Sequence, residues 1–168
     1  TVGVLHPAKV SNIFSRLVEE IRIPIHGHFH NDFGLATANA LQAIQSGATC
    51  VDVTVNGLGE RCGISSLAEV VTSLDELLNV KNSWNFKILN NISSFVEKTS
   101  KITDNDIRPI TGKNAYTHNA GLHVSSVIKD GSLYEPTDPT KFNRKRRHYI
   151  DKFSGKDALN YRLKKLNI

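Results

Sequence analysis

The chain has 168 residues, 39% hydrophobic and 22% charged, which suits a soluble folded domain and excludes a disordered chain. Its net charge of +5 comes from one segment, KFNRKRRH (141–148), whose Lys141, Arg144, Lys145, Arg146 and Arg147 leave the other 16 basic residues balanced by 16 acidic ones. That localisation argues against a broadly basic nucleic-acid coat and leaves a local anion site open.

The elements follow in chain order. Residues 9–20 place Val10, Ile13, Leu17 and Val18 at near-helical spacing. Residues 21–30 alternate Ile21, Ile23 and Ile25 as a strand would. Residues 33–47 predict a helix with Leu35, Ala38, Leu41, Ala43 and Ile44 on one face and Gly47 as C-cap. Residues 48–57 are rich in β-branched side chains and predict a strand. Residues 64–79 predict a helix with Ser65 or Ser66 as N-cap and Glu69 as capping-box partner. This alternation points to a parallel α/β sheet, yet two strands are too few to close one.

The character changes after residue 80. Residues 79–85 are a polar linker and 88–102 a helix. Residues 104–121 are loop-like. Residues 122–130 are helical and stop at Gly131. The two prolines of 134–142 exclude a regular element. Residues 154–167 predict a helix capped by Ser154.

Four constellations carry chemistry. In His26-Gly27-His28-Phe29-His30-Asn31-Asp32 the three histidines share one strand face, and His at i and i+2 can ligate one divalent ion. The bland alternative is three polar groups hydrogen-bonded in a sheet. The second is Asn56-Gly57-Leu58-Gly59-Glu60-Arg61-Cys62-Gly63, either a tight strand-to-helix turn or a loop that lets a ligand approach the backbone. Its glycine spacing does not match a dinucleotide loop. The third places His118, His123 and Tyr134 in a linker-like region, as structural side chains or as an acid/base pair. The fourth is the basic segment, whose default is a solvated loop. Only Phe142 and Tyr149 lie near it, so base stacking has little support.

In this order the motifs resemble the homocitrate, 2-isopropylmalate and citramalate synthase family. HxHND-x-G runs through His28, His30, Asn31, Asp32 and Gly34, and NG-x-GER-x-G spans Asn56 to Gly63. T-x-x-AGxHV (Thr117, Ala120, Gly121, His123, Val124), YE-x-x-DP (Tyr134, Glu135, Asp138, Pro139) and SGK (Ser154, Gly155, Lys156) follow. The opening TVGVLHP looks like the end of the family's sixth barrel strand.

The resemblance implies an α/β fold: the last strands and helices of a (β/α)8 TIM barrel over residues 1–80. A linker and small, mostly helical subdomains follow over 81–168. Strands one to five would lie upstream, which agrees with a chain that opens on Thr1 and contains no methionine. The implied reaction is a Claisen-type condensation of acetyl-CoA with a 2-oxo acid. A divalent metal (Mg, Mn, Zn or Co) polarises the ketone, a base takes a proton from the acetyl methyl group, and the thioester is then hydrolysed.

The metal ligands would be His28 and His30, and the catalytic groups His123 and Tyr134. Substrate contacts would come from Thr1, Asn56, Glu60 and Arg61. His26 matches no motif role. The subdomain residues would act in the partner's barrel, which implies a homodimer with subdomain exchange. Gly63 is followed by Ile64, the homocitrate pattern, where the other branches carry a metal-reaching Asn. Asn56-Gly57 and Glu69-Val70-Val71 look more like the isopropylmalate branch. The acceptor expected is 2-oxoglutarate, giving homocitrate on the aminoadipate route to lysine, with 2-isopropylmalate or citramalate synthesis as the alternative.

A second class of reading is a non-catalytic fragment or a subunit that needs the missing barrel half. A nucleic-acid-binding module at 141–148 is the third and weakest. The expected setting is the reducing cytoplasm, given only Cys50 and Cys62, and no apolar run of membrane-spanning length predicts a membrane partner. Arg144 to Arg147 are expected to be a surface or interface feature.

Overall fold

Pro7 opens helix α1 (Pro7–Glu20), where its missing N–H costs nothing. This is a computed structural model, and it describes residues 2–119, 121–149, 154–156, 159–160 and 163. The chain forms two compact units, Thr1–Trp84 with Ile92–Thr103, and Asn85–Asn91 with Asp104–Ile168.

In the first unit, β1 (His26–Gly27), α2 (Ala36–Gln45) and β2 (Cys50–Val51) form a strand–helix–strand unit. The two strands pair in parallel, His26 opposite Cys50 and Gly27 opposite Val51. Helix α3 (Leu67–Glu76) follows. The core gathers Val10, Phe14, Phe29, Ala36, Ala40, Ala43, Ala48, Val70 and Leu74. Ala36, Ala40 and Ala43 give α2 a flat face, and α1 packs against it with Val10 and Phe14. The Phe14 and Phe29 rings lie 5.8 Å apart. Burying a side chain such as Val10 or Phe14 stabilises the fold by about 1.5–3 kcal/mol. The stripe predicted for α1 is therefore rotated, since Ile13 and Val18 are each 40% exposed. Val18 packs beside Gly47, which ends α2 at φ +95°.

Three local expectations change. The alternation of Ile21, Ile23 and Ile25 does not make a strand, because Pro24 cannot donate to a ladder. The predicted strand 48–57 pairs in a ladder only at Cys50–Val51 and then turns through a 3-10 segment, Val55–Gly57. Ser66 is the N-cap of α3 but makes no side-chain cap. Its predicted partner Glu69 instead accepts the Thr37 hydroxyl at 2.8 Å, and Ser65 Oγ donates to the Ala36 carbonyl at 3.1 Å.

Helix α4 (Leu89–Ser100) leads into the second unit. There β3 (Thr117–His118) and β4 (Arg147–His148) pair in parallel, with α5 (Gly121–Lys129) between them in sequence. Its core is Phe142, Tyr116, Val124, Val127 and Leu89. The Phe142 ring stacks on Tyr116 at 6.1 Å and meets Phe86 edge-on at 6.1 Å. Residues 139–142, expected to be irregular, form one 3-10 turn opened by Pro139. The helix predicted over 154–167 lies largely outside the described residues.

The expectation that Arg144 to Arg147 are a surface feature is corrected at Arg144 and Arg146, while Lys145 and Arg147 are exposed as expected. Arg144 turns inward over the Tyr116 ring, 5.5 Å from its centroid. Its guanidinium donates to the carbonyls of Ile110, Thr111, Gly112 and Lys113 at 3.1, 2.8, 2.7 and 3.2 Å. Burial pulls its pKa down from the ordinary arginine value. Arg146 pairs with buried Glu135, and Lys141 lies over the Phe86 ring. Of the five basic side chains, Lys145 and Arg147 are the ones that stay exposed.

Candidate active site

The parallel register dictates the first feature. Gly27 faces Val51, so the next positions, His28 and Asp52, emerge side by side where the strands end. His28 Nδ1 lies 2.9 Å from Asp52 Oδ2. A carboxylate can only accept, so Nδ1 carries the proton, and in the neutral ring the Nε2 lone pair is left available.

That nitrogen points at His30. The two Nε2 atoms are 3.2 Å apart, and the rings meet edge to face at 4.9 Å. Two ligands at about 2.1 Å from one ion lie about 3.0–3.4 Å apart when they are neighbours in its shell. The donor pair therefore fits a divalent ion. His30 Nδ1 is buried without a partner among the described residues. No group of three His, Cys, Asp or Glu converges among the described residues, so the pair supplies part of a shell only. His26, on the same face, is exposed.

A second hub ties the loops around this pair. Asp32 Oδ1 accepts from Arg61 Nε at 2.7 Å and Oδ2 from Arg61 Nη2 at 3.1 Å, while the Gly3 N–H also donates to Oδ2 at 2.8 Å. Above all the Arg61 guanidinium, and then the Gly3 N–H, hold the Asp32 carboxyl well below the usual carboxylate range. The Asn31 N–H donates to the Gly63 carbonyl at 2.9 Å, and His30 bridges to Ile64. Ile64 is 7% exposed, so residue 64 sits beside the histidine pair. Gly63 has φ +82°, and a Cβ there would collide with the Gly57 carbonyl, so this closure needs glycine.

The predicted substrate contacts are placed as follows. Thr1 lies outside the described residues. Asn56 is buried at φ +59°, and its Nδ2 donates to the Ser93 carbonyl at 3.1 Å. Arg61 is engaged by Asp32, and Glu60 is exposed at the loop tip.

In the second unit His123 and Tyr134 do come together. Their ring centroids are 4.2 Å apart at 31°, and Tyr134 is 41% exposed. His118, grouped with them by sequence, instead turns to Glu135, with Nε2 3.1 Å from Oε1. Asp52 and Gly3 were not singled out by sequence reasoning, and Glu135 was read only as part of the YE-x-x-DP stretch, with no role of its own. The strand register was the signal for Asp52, but it is not written in one strand alone.

Comparison with known proteins sets this geometry in a family. Residues 1–96 match the HMGL-like family model, more than half of the chain. The chain belongs to the HMGL-like family. Residues 110–168 match the homocitrate synthase post-HMGL domain-like model. Over all 168 residues the chain is 43% identical to a homocitrate synthase of Pyrococcus abyssi and 46% identical to one of Pyrococcus horikoshii. It is 40% identical, again over 168 residues, to an (R)-citramalate synthase of Methanocaldococcus jannaschii. It spans 46% of each Pyrococcus protein and 34% of the citramalate synthase, about half or less of the curated relatives it matches.

Two solved HMG-CoA lyases share the fold. That of Bacillus subtilis matches with a TM-score of 0.52 and 26% identity, over 59% of this chain and 35% of that one. That of Acinetobacter baumannii, in complex with coenzyme A and 3-methylmalate, gives 0.51 and 26%, over 65% and 41%. The α/β expectation holds: this HMGL-like chain carries part of a TIM barrel.

Proposed function

We propose that the intact protein condenses acetyl-CoA with a 2-oxo acid, with 2-oxoglutarate as acceptor and homocitrate as product. The observation that carries this reading is the 43–46% identity to homocitrate synthases over every residue of the chain. The match of 110–168 to the homocitrate synthase post-HMGL model supports it. Ile64 beside the histidine pair also favours 2-oxoglutarate, because an aliphatic side chain there leaves that coordination position to other groups.

His28 and His30 are the residues that would hold a divalent ion, with Asp52 fixing the tautomer of His28. When bound, that ion supplies Lewis-acid polarisation of the acceptor's carbonyl. Asp32 holds the ends of three segments in place around the pair. Thr1 and Glu60 remain the candidate direct contacts to substrate, while Asn56 and Arg61 act by fixing the loop that carries Glu60. His123 and Tyr134 form the acid/base pair that moves a proton at the acetyl methyl group. They serve the barrel of a second copy in a homodimer. The setting is the cytoplasm, where the thiols of Cys50 and Cys62 remain reduced.

The identity to a citramalate synthase supports pyruvate as the alternative acceptor. The test is thiol release from acetyl-CoA by the full-length protein with 2-oxoglutarate, 2-oxoisovalerate or pyruvate. The highest kcat/KM is expected with 2-oxoglutarate. If it is the worst of the three acceptors, the homocitrate assignment fails.

A further inference from the structure

Tyr134 is exposed, and its ring rests against His123, which is exposed as well. Such a pair keeps a fixed geometry only if its backbone is anchored. The anchor is the neighbouring side chain. The Glu135 side chain is 3% exposed, and its carboxylate is shared between two donors. His118 Nε2 lies 3.1 Å from Oε1, and Arg146 Nε lies 2.5 Å from Oε2. The donors come from β3 and from the residue before β4, which the parallel pairing of Thr117 with Arg147 brings together. The turn itself is tight: the N–H groups of Tyr134 and Glu135 both donate to the Gly131 carbonyl, at 3.2 and 3.0 Å. Arg146 lies across this turn so closely that a Cβ at Gly131 would overlap its guanidinium.

A buried ion pair is a weak source of stability, because desolvating the charges costs about as much as their attraction returns. What it supplies is a fixed geometry. We propose that Glu135 is a positioning residue: held between His118 and Arg146, its carboxylate locks the 131–135 turn and sets Tyr134 against His123. The inference rests on the reading of Tyr134 as a catalytic group. It also gives Arg146, one of the five cations behind the net charge, a role inside the protein.

The test compares Glu135→Gln, Arg146→Ala, Arg146→Lys and Tyr134→Phe in the full-length protein. For Glu135→Gln and Arg146→Ala, kcat should fall about 10–100-fold, the cost of a misplaced catalytic group, while both KM values stay within about two-fold. Arg146→Lys, which keeps the charge, should recover part of that loss. The His123 ring protons feel the Tyr134 ring current, so their NMR signals should shift in the first two variants and not in the third. If Glu135→Gln does not fold, the more exposed Arg146→Ala decides. A folded variant of either kind with kcat within about two-fold of the parent and unmoved His123 signals overturns the inference. Tyr134→Phe at parental kcat would sink the catalytic reading of Tyr134 instead. The NMR shifts, read without turnover, keep those two failures apart.

Discussion

Asp52 shows what one residue adds to a metal-type pair. It accepts from His28 Nδ1 and so points the Nε2 lone pair at the position His30 also faces. Asp52→Asn can present an N–H where an acceptor is needed. It is expected to weaken divalent-ion affinity about 10–100-fold with both histidines in place. Calorimetric titration of the full-length protein checks this, and unchanged affinity would remove Asp52 from the account. Arg144 is the equivalent in the second unit. It satisfies four carbonyls, including that of Ile110, a β-branched residue held at φ +67°. Arg144→Ala should destabilise this unit by about 2–4 kcal/mol, read by denaturant unfolding; a loss below about 0.5 kcal/mol would contradict it. The HxH spacing was legible because strand side chains alternate with period two. The partners of Arg144 were not, since they depend on a fold that brings residue 144 back to residue 110.

At the scale of elements, helices read well and strands poorly. A helix declares itself through its own periodicity, as α1 to α4 do even though no side chain caps α1, α2 or α3, while a two-residue strand is defined by its neighbour. Short 3-10 turns are legible through their caps once seen. Asp130 and Asp138 cap the turns at 131–133 and 139–142, accepting from the N–H groups of Ser132 and Thr140 at 2.9 and 2.8 Å. The Ser132 hydroxyl and N–H hold the Asp130 carboxyl below its ordinary value, and the Thr140 N–H and hydroxyl do the same for Asp138. The folded-state pKa values are depressed, so this contribution is present above the unfolded value of about 3.9 and is lost as pH falls below it. Stability measured between pH 5 and 3 should fall, and the double variant Asp130→Asn, Asp138→Asn should fall less steeply. An identical slope in both proteins would contradict the capping role.

At the scale of the molecule, two of the five cations behind the net charge turn to packing: Arg144 holds carbonyls and Arg146 a carboxylate, while Lys145 and Arg147 stay exposed. The family was legible from ordered motifs, because their glycines and histidines are fixed by backbone geometry and chemistry at once. The second copy enters only through the proposed function: the histidine pair supplies part of a shell among the described residues, and the proposed acid/base role of His123 and Tyr134 needs a barrel to act on. Subunit mixing tests this most directly. Full-length His28→Ala and Tyr134→Phe proteins should each be inactive alone. Once their subunits have exchanged, half of the dimers are mixed and each has one intact site, so thiol release with 2-oxoglutarate should return to about a quarter of the parental rate. No recovered activity, with mixed dimers shown to have formed, would contradict an active site assembled from the histidine pair of one copy and the Tyr134 of another.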